Sequence, residues 1–124
     1  MLKIYRASAG SGKTFRLTQD YIHLLFNAKY THAHRRILAV TFTNKATEEM
    51  KSRILEELYL LASGQESNYR EGLMEAYRLT AESVNQKARY ILTNILHDYT
   101  AFSISTIDKF FQQIIRSFAR EIGV

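Results

Sequence analysis

Apolar residues recur along this chain with two different periods, and the switches between them divide it into alternating elements. The short run Leu2 to Tyr5 reads as a strand, with Tyr5 and Arg6 leading out of it. From Thr14 to about Ala28, the residues Leu17, Tyr21, Leu24, Leu25 and Ala28 share one face at helical spacing, which predicts a core-facing helix. Lys29 to Arg36 is a polar connection, in which His32 and His34 are expected to be solvated. Ile37 to Phe42 is an apolar, β-branched-rich run, the pattern of a parallel strand buried on both faces. Ala46, Met50, Ile54, Leu58 and Leu61 then form a helical stripe, with Thr43 or Asn44 as its cap and Ser63-Gly64 as its stop. Between Glu66 and His97, the residues Leu73, Tyr77, Ala81, Val84, Ala88, Ile91 and Ile95 recur every three or four positions. They predict one long helix, or two with a break near Thr80 to Asn85. Ala101 to Ser105 reads as a third strand, and Ser105 or Thr106 starts a helix carrying Ile107, Phe110, Phe111, Ile114, Ile115 and Phe118. Strand, helix, strand, helices, strand, helix is the order of an α/β fold with a parallel sheet.

The first strand and first helix are joined by Ala7-Ser8-Ala9-Gly10-Ser11-Gly12-Lys13-Thr14. A strand, a glycine-rich turn and Gly-Lys-Thr opening a helix make up the sequence form of a phosphate-binding loop, here with Ala7 at the first glycine position. Gly10 and Gly12 permit backbone conformations and close ligand approach that a side chain would block. Amides from Gly10 to Thr14 can then face phosphate oxygens, with the positive end of the helix dipole behind them. Lys13 would reach the β- and γ-phosphates, and the Thr14 hydroxyl would hold a Mg²⁺ bridging them. The bland alternative is an ordinary Gly/Ser turn.

Composition bounds the remaining possibilities. A chain of 124 residues with 46% hydrophobic content is at most one small domain with a packed core. No apolar run approaches the roughly 20 residues of a membrane-spanning helix. A strand beginning two or three residues after Met1 leaves no room for a signal peptide. Zero cysteines exclude disulfides and thiolate metal sites. Together these features suggest a cytoplasmic protein. The net charge of +5 is uneven: Met1 to Leu55 carries +7 and Glu56 to Val124 carries −2. A basic half around a phosphate loop suits a polyanion, whether nucleotide or nucleic acid.

Ligands in open α/β sheets bind beyond the carboxyl ends of the strands. There the second strand presents Thr41-Phe42-Thr43-Asn44 and the third Ser105-Thr106-Ile107-Asp108. Hydroxyls, an amide and an aromatic make neither a hydrolytic triad nor a metal cage. They suit a nucleic-acid strand, with polar groups on phosphates and Phe42 on a base. Spacing alone favours the other reading, a core Phe42 with the polar groups as helix caps.

The stretch Ala7 to Thr14, followed by Ile37-Leu38-Ala39-Val40-Thr41-Phe42-Thr43-Asn44-Lys45-Ala46-Thr47-Glu48-Glu49-Met50, resembles motifs I and Ia of superfamily 1 DNA helicases of the UvrD/Rep type. Ser105 to Arg116 resembles the next motif, so the likeness covers nearly the whole chain in the family's order. The early start and the wording Ala7-Ser8-Ala9-Gly10-Ser11-Gly12-Lys13-Thr14-Phe15 are similar to the RecB/AddA-like helicase–nuclease branch. The resemblance implies a P-loop NTPase (RecA-like) parallel sheet. The chain would be the N-terminal part of motor domain 1A, with a helical insertion at about 65–98. It further implies an ATP- and Mg²⁺-dependent motor that moves 3′ to 5′ on single-stranded DNA in recombination or repair. Phe42, Thr43, Asn44 and Thr106 would lie along the DNA, and the rest of the motor, with a nuclease domain or subunit, would be the partner. Asp108 stands where the family usually has His, and Phe15 where UvrD-like members have the adenine-stacking Arg. No Asp-Glu pair ends an apolar strand, so catalytic residues cannot be assigned. The resemblance thus implies an incomplete sheet with unpaired edges that binds nucleotide without turning it over. The rival readings are a stand-alone nucleotide- or DNA-binding adaptor and a small P-loop kinase.

Overall fold

The computed structural model describes residues 2–4, 12–28 and 32–123, with side chains from Phe15 onward. Three parallel strands, β1 (Leu2–Ile4), β2 (Leu38–Thr41) and β3 (Ile104–Thr106), form a sheet in the order β1-β2-β3. Leu2 pairs with Leu38 and Ile4 with Val40, while Ala39 pairs with Ile104 and Thr41 with Thr106. Parallel neighbours require crossovers. Helix α1 (Gly12–Asn27) lies in the first, and α2 (Asn44–Ala62), α3 (Arg70–Tyr77) and α4 (Ala81–His97) lie in the second. Helix α5 (Ile107–Glu121) follows β3 directly. Among the described residues β1 and β3 each pair on one side only.

Local chemistry accounts for the helix boundaries. Thr43, Thr80 and Thr106 have extended backbone, and each side chain accepts a bond from the amide three residues on, capping α2, α4 and α5. Gly64 ends α2 at φ 75°, and Arg78 ends α3 at φ 52°. The predicted break in the second helical stretch therefore falls at Arg78 to Thr80, and residues 65–67 ahead of α3 are coil. The third strand starts later than its apolar pattern suggested. Tyr99–Ala101 is a tight helical turn, and pairing begins at Ile104.

The core is built by α2 and α4 against α1 and the sheet. Every residue of the predicted α2 stripe, Ala46, Met50, Ile54, Leu58 and Leu61, is buried. Leu73, Val84, Ala88, Ile91 and Ile95 are buried as well, whereas Ala81 in the first turn of α4 is exposed. In α1 the buried face is wider than its pattern indicated. Ile22 and Phe26 join Leu17, Tyr21 and Leu25, because α1 packs on α2, α3 and α4 together. Tyr21 donates to the carbonyl of Ile37 at 3.4 Å and meets Phe102 edge to face.

The expectation that His34 is solvated is wrong. His34 is 1% exposed, with Nε2 3.1 Å from the Asp98 carboxylate and 3.3 Å from the Asp98 carbonyl. Arg35 Nε donates to the same carboxylate. This clasp joins the α1–β2 connection to the end of α4 across 64 residues, a partnership no local pattern reveals. The arginine bond, with help from His34, holds the Asp98 carboxyl below its ordinary value.

Candidate functional site

The strand registers set the site. Ile4 lies beside Val40 and Thr41 beside Thr106, so all three strands end at nearly one level. The chain leaves β1 there toward the phosphate-loop sequence and re-enters the described structure in α1 at Gly12. Ala7, Ser8, Ala9, Gly10 and Ser11 lie outside the described residues. So do the side chains of Lys13 and Thr14, whose backbones belong to the first turn of α1. A helix that opens with Gly-Lys-Thr offers first-turn amides with no partner inside the helix, a donor set that fits phosphate.

At the end of β2 a set of hydroxyls fixes the turn. The Thr41 and Thr47 Oγ1 atoms are 2.6 Å apart, and they stand 3.2 and 3.1 Å from the carbonyl of Thr43. Thr43 Oγ1 accepts from the Ala46 amide at 3.0 Å. Thr41 and Thr47 are buried, so these bonds act away from water. With both sides of the turn pinned, Phe42 points outward and is 46% exposed, flanked by exposed Thr43, Asn44 and Lys45. The core reading of Phe42 is therefore excluded.

The capping reading holds for two of the other residues. Thr43 caps α2, and Thr106 is buried, accepting from the Lys109 amide at 3.2 Å. Asn44 begins α2 and is exposed. Asp108 and Lys109 are exposed in the first turn of α5, where the acid complements the helix dipole. The ends of β2 and β3 thus present an exposed aromatic and amide, Phe42 and Asn44, with Lys45 at the start of α2 and Lys109 in the first turn of α5. The acidic pairs Glu48-Glu49 and Glu56-Glu57 lie on α2 and not at a strand end.

Two features near α1 had no signal in the sequence. The ring of Phe15 stacks on Tyr69 with centroids 4.9 Å apart, and the Tyr69 hydroxyl donates to the Phe15 carbonyl at 3.3 Å. Glu57 is buried and bonded by Ser67 at 3.4 Å; burial raises its carboxyl above the ordinary range, with Ser67 opposing. Burial, then the nearby Glu57, pushes Tyr69 up to about 12, which keeps it protonated as a donor.

A sequence of phosphate-loop form after the first strand of a parallel α/β sheet is the arrangement of the P-loop NTPase class. Residues 3–124 match the family "UvrD/REP helicase N-terminal domain", and the chain belongs to it. It is 32% identical over 127 residues to the "RecBCD enzyme subunit RecB" of Buchnera aphidicola subsp. Acyrthosiphon pisum, covering 93% of this chain and 10% of that protein. It is 36% identical over 121 residues to the "ATP-dependent DNA helicase Rep" of Buchnera aphidicola subsp. Baizongia pistaciae, covering 94% of this chain and 17% of that protein. Rep of Escherichia coli is 50% identical over 52 residues, 42% of this chain and 7% of that protein. The chain therefore spans a small part of the length of these relatives. No solved structure matches.

Proposed function

We propose that this chain is the nucleotide-binding opening of an ATP-driven DNA motor that moves 3′ to 5′ on single strands and unwinds duplex in recombination or repair. The observation that carries the reading is the juxtaposition at the strand ends. β1, which precedes the loop sequence, pairs with β2 up to Ile4–Val40, two residues before the pinned turn at Phe42-Thr43-Asn44. In this reading the Gly10 to Thr14 amides and Lys13 hold the phosphates, and the Thr14 hydroxyl holds Mg²⁺. Bound Mg²⁺ supplies charge neutralisation on the phosphates. Phe42 stacks on a base, Asn44 and the backbone at Thr43 contact the strand, and Thr106 fixes the start of α5 beside it.

The chain is the first part of motor domain 1A, and α3 and α4 are its helical insertion, within about 65–98. The carboxylates that position the attacking water belong to the remaining motor, whose further strands complete a RecA-like sheet. The same remainder covers the apolar face of α5, where Phe111, Ile114, Ile115 and Phe118 are exposed. The 124 residues alone bind nucleotide without turning it over. Relatives named RecB are by that name subunits of a RecBCD enzyme, and in this reading the rest of the motor, with a nuclease domain or subunit, is the partner.

The test is a titration of the intact protein with a fluorescent ATP analogue and Mg²⁺, then with labelled single-stranded DNA. Lys13→Ala should abolish nucleotide binding and leave nucleotide-free DNA binding in place. Phe42→Ala should weaken DNA binding by about 1–3 kcal/mol. Nucleotide affinity unchanged by Lys13→Ala would sink the reading. So would Mg²⁺-dependent hydrolysis by the 124 residues alone, as far as the division of labour is concerned.

A further inference from the structure

We infer that α3 is a coupling rod, fastened in register to α1 by two tyrosines, which passes the nucleotide state of the loop to α3 and α4. The inference rests on nucleotide binding at the loop as proposed above.

Both fastenings have the same form. Tyr69 donates to the main-chain carbonyl of Phe15 at 3.3 Å, with its ring on the ring of Phe15. Tyr77 donates to the main-chain carbonyl of His23 at 3.0 Å, with ring centroids 5.6 Å apart. The tyrosines are eight residues apart, and so are their partners on α1. Eight residues are about 12 Å along a helix, so the two elements run side by side without slipping. Main-chain carbonyls as anchors mean that α3 grips the frame of α1 and not a side chain that could change rotamer.

Between the two clasps the elements lie close: a Cβ on Gly72 would stand 3.8 Å from His23 Nε2. With the Tyr77 hydroxyl donating to the carbonyl, His23 Nδ1, 3.4 Å away, is placed to donate back to the Tyr77 oxygen. That leaves Nε2 buried and unbonded beside α3.

The rod has little hold of its own. Eight residues are too few for a helix to stand alone in water. The chain turns on either side of it at left-handed residues, Gly64 and Arg78. Its position follows what it is fastened to. At its start Arg70 bonds the side chain of Asn85 on α4 and the carbonyls of Leu61 and Gln65. Leu73 is fully buried in the common core. One end of the path is thus Phe15, the residue after Thr14 in the first turn of α1. The other is the first half of α4. Phosphates drawn onto the first-turn amides alter that turn, the Tyr69 clasp follows it, and the Tyr77 clasp keeps α3 in step with α1.

The experiment is hydrogen exchange on the intact protein, with and without a non-hydrolysable ATP analogue and Mg²⁺, in wild type and in the double variant Tyr69→Phe, Tyr77→Phe. The variant removes two hydroxyls and keeps both rings. In wild type the analogue should slow exchange both in the first turn of α1 and across 70–77, by about fivefold or more, the lower end of ordinary coupling between sites. In the double variant the slowing should remain in α1 and be lost in 70–77. Equal slowing of 70–77 in wild type and variant overturns the inference, as does an analogue that protects wild-type α1 and leaves α3 untouched. An analogue that protects neither element overturns nucleotide binding itself, and the inference with it. If the double variant fails to fold, Tyr69→Phe alone, which cuts the clasp nearest the first turn of α1 and keeps the ring, should likewise lose the slowing in 70–77.

Discussion

Helices α4 and α5 are alike in N-cap and amphipathic pattern and opposite in fate. Each opens behind a capping threonine, Thr80 or Thr106, whose side chain accepts from the amide three residues on. They have 17 and 15 residues, and each gathers its apolar side chains on one face. In α4 that face, Val84, Ala88, Ile91 and Ile95, is buried against α2 and α1. In α5 Ile115 is 65% exposed and Phe118 61%, and no residue of the helix is buried. Capping and periodicity make a helix; they do not supply the surface it packs on. An amphipathic pattern states a demand for burial, and only the arrangement of other elements shows whether the demand is met.

Four measurements would break or sharpen this contrast, and their expected effects descend in size. Ile95→Ala, at a fully buried site on α4, should cost about 2–5 kcal/mol in urea denaturation. A loss below ~1 kcal/mol would mean that α4 is not a core element.

The two caps come next. Thr43→Ala, in front of the packed helix α2, should cost about 1 kcal/mol globally. Thr106→Ala, in front of α5, should instead raise hydrogen exchange at the start of that helix and leave the denaturation midpoint nearly unchanged. Equal global losses would show that α5 is tied into the cooperative unit.

The third measurement concerns Asp98, at the end of α4. Its carboxyl is held below the ordinary 3.8, first by its bond from Arg35. That stability is present above the ordinary value and is lost as the pH falls through it toward the lower folded value. Wild type should therefore show a drop in Tm below about pH 4, and Asp98→Asn should start lower at pH 7 and lack that drop. Parallel acid limbs in the two proteins would remove Asp98 from the account.

The smallest stability effect is expected on α5. In the isolated 124 residues Ile115→Ala should change stability by no more than about 0.5 kcal/mol. Ile115→Lys should reduce light scattering by the isolated 124 residues at the same midpoint. A loss as large as that of Ile95→Ala would mean that this face is covered within the chain.

The same contrast separates what was legible in the sequence from what was not. The order of elements, the cap candidates of α2 and α5, the full α2 stripe and the family were all readable, because each depends on residues within a few positions of one another. The strand ends could be expected at one edge, since parallel strands joined by crossovers must end together. Phe42 was ambiguous: an apolar run does not say where it leaves the core. The buried Thr41–Thr47 bond, which turns the chain outward at residue 42, decided it.

His34, Tyr69 and Tyr77 were missed for another reason. Their partners Asp98, Phe15 and His23 lie more than fifty positions away, so no period or spacing could join them. By itself, then, the sequence determined the type and order of the elements and most of their buried faces, because hydrophobic period and hydrogen-bond capping act over one or two turns. The tertiary structure alone decided which amphipathic face found a partner and which distant polar groups met. Those outcomes depend on how whole elements are placed against one another in space.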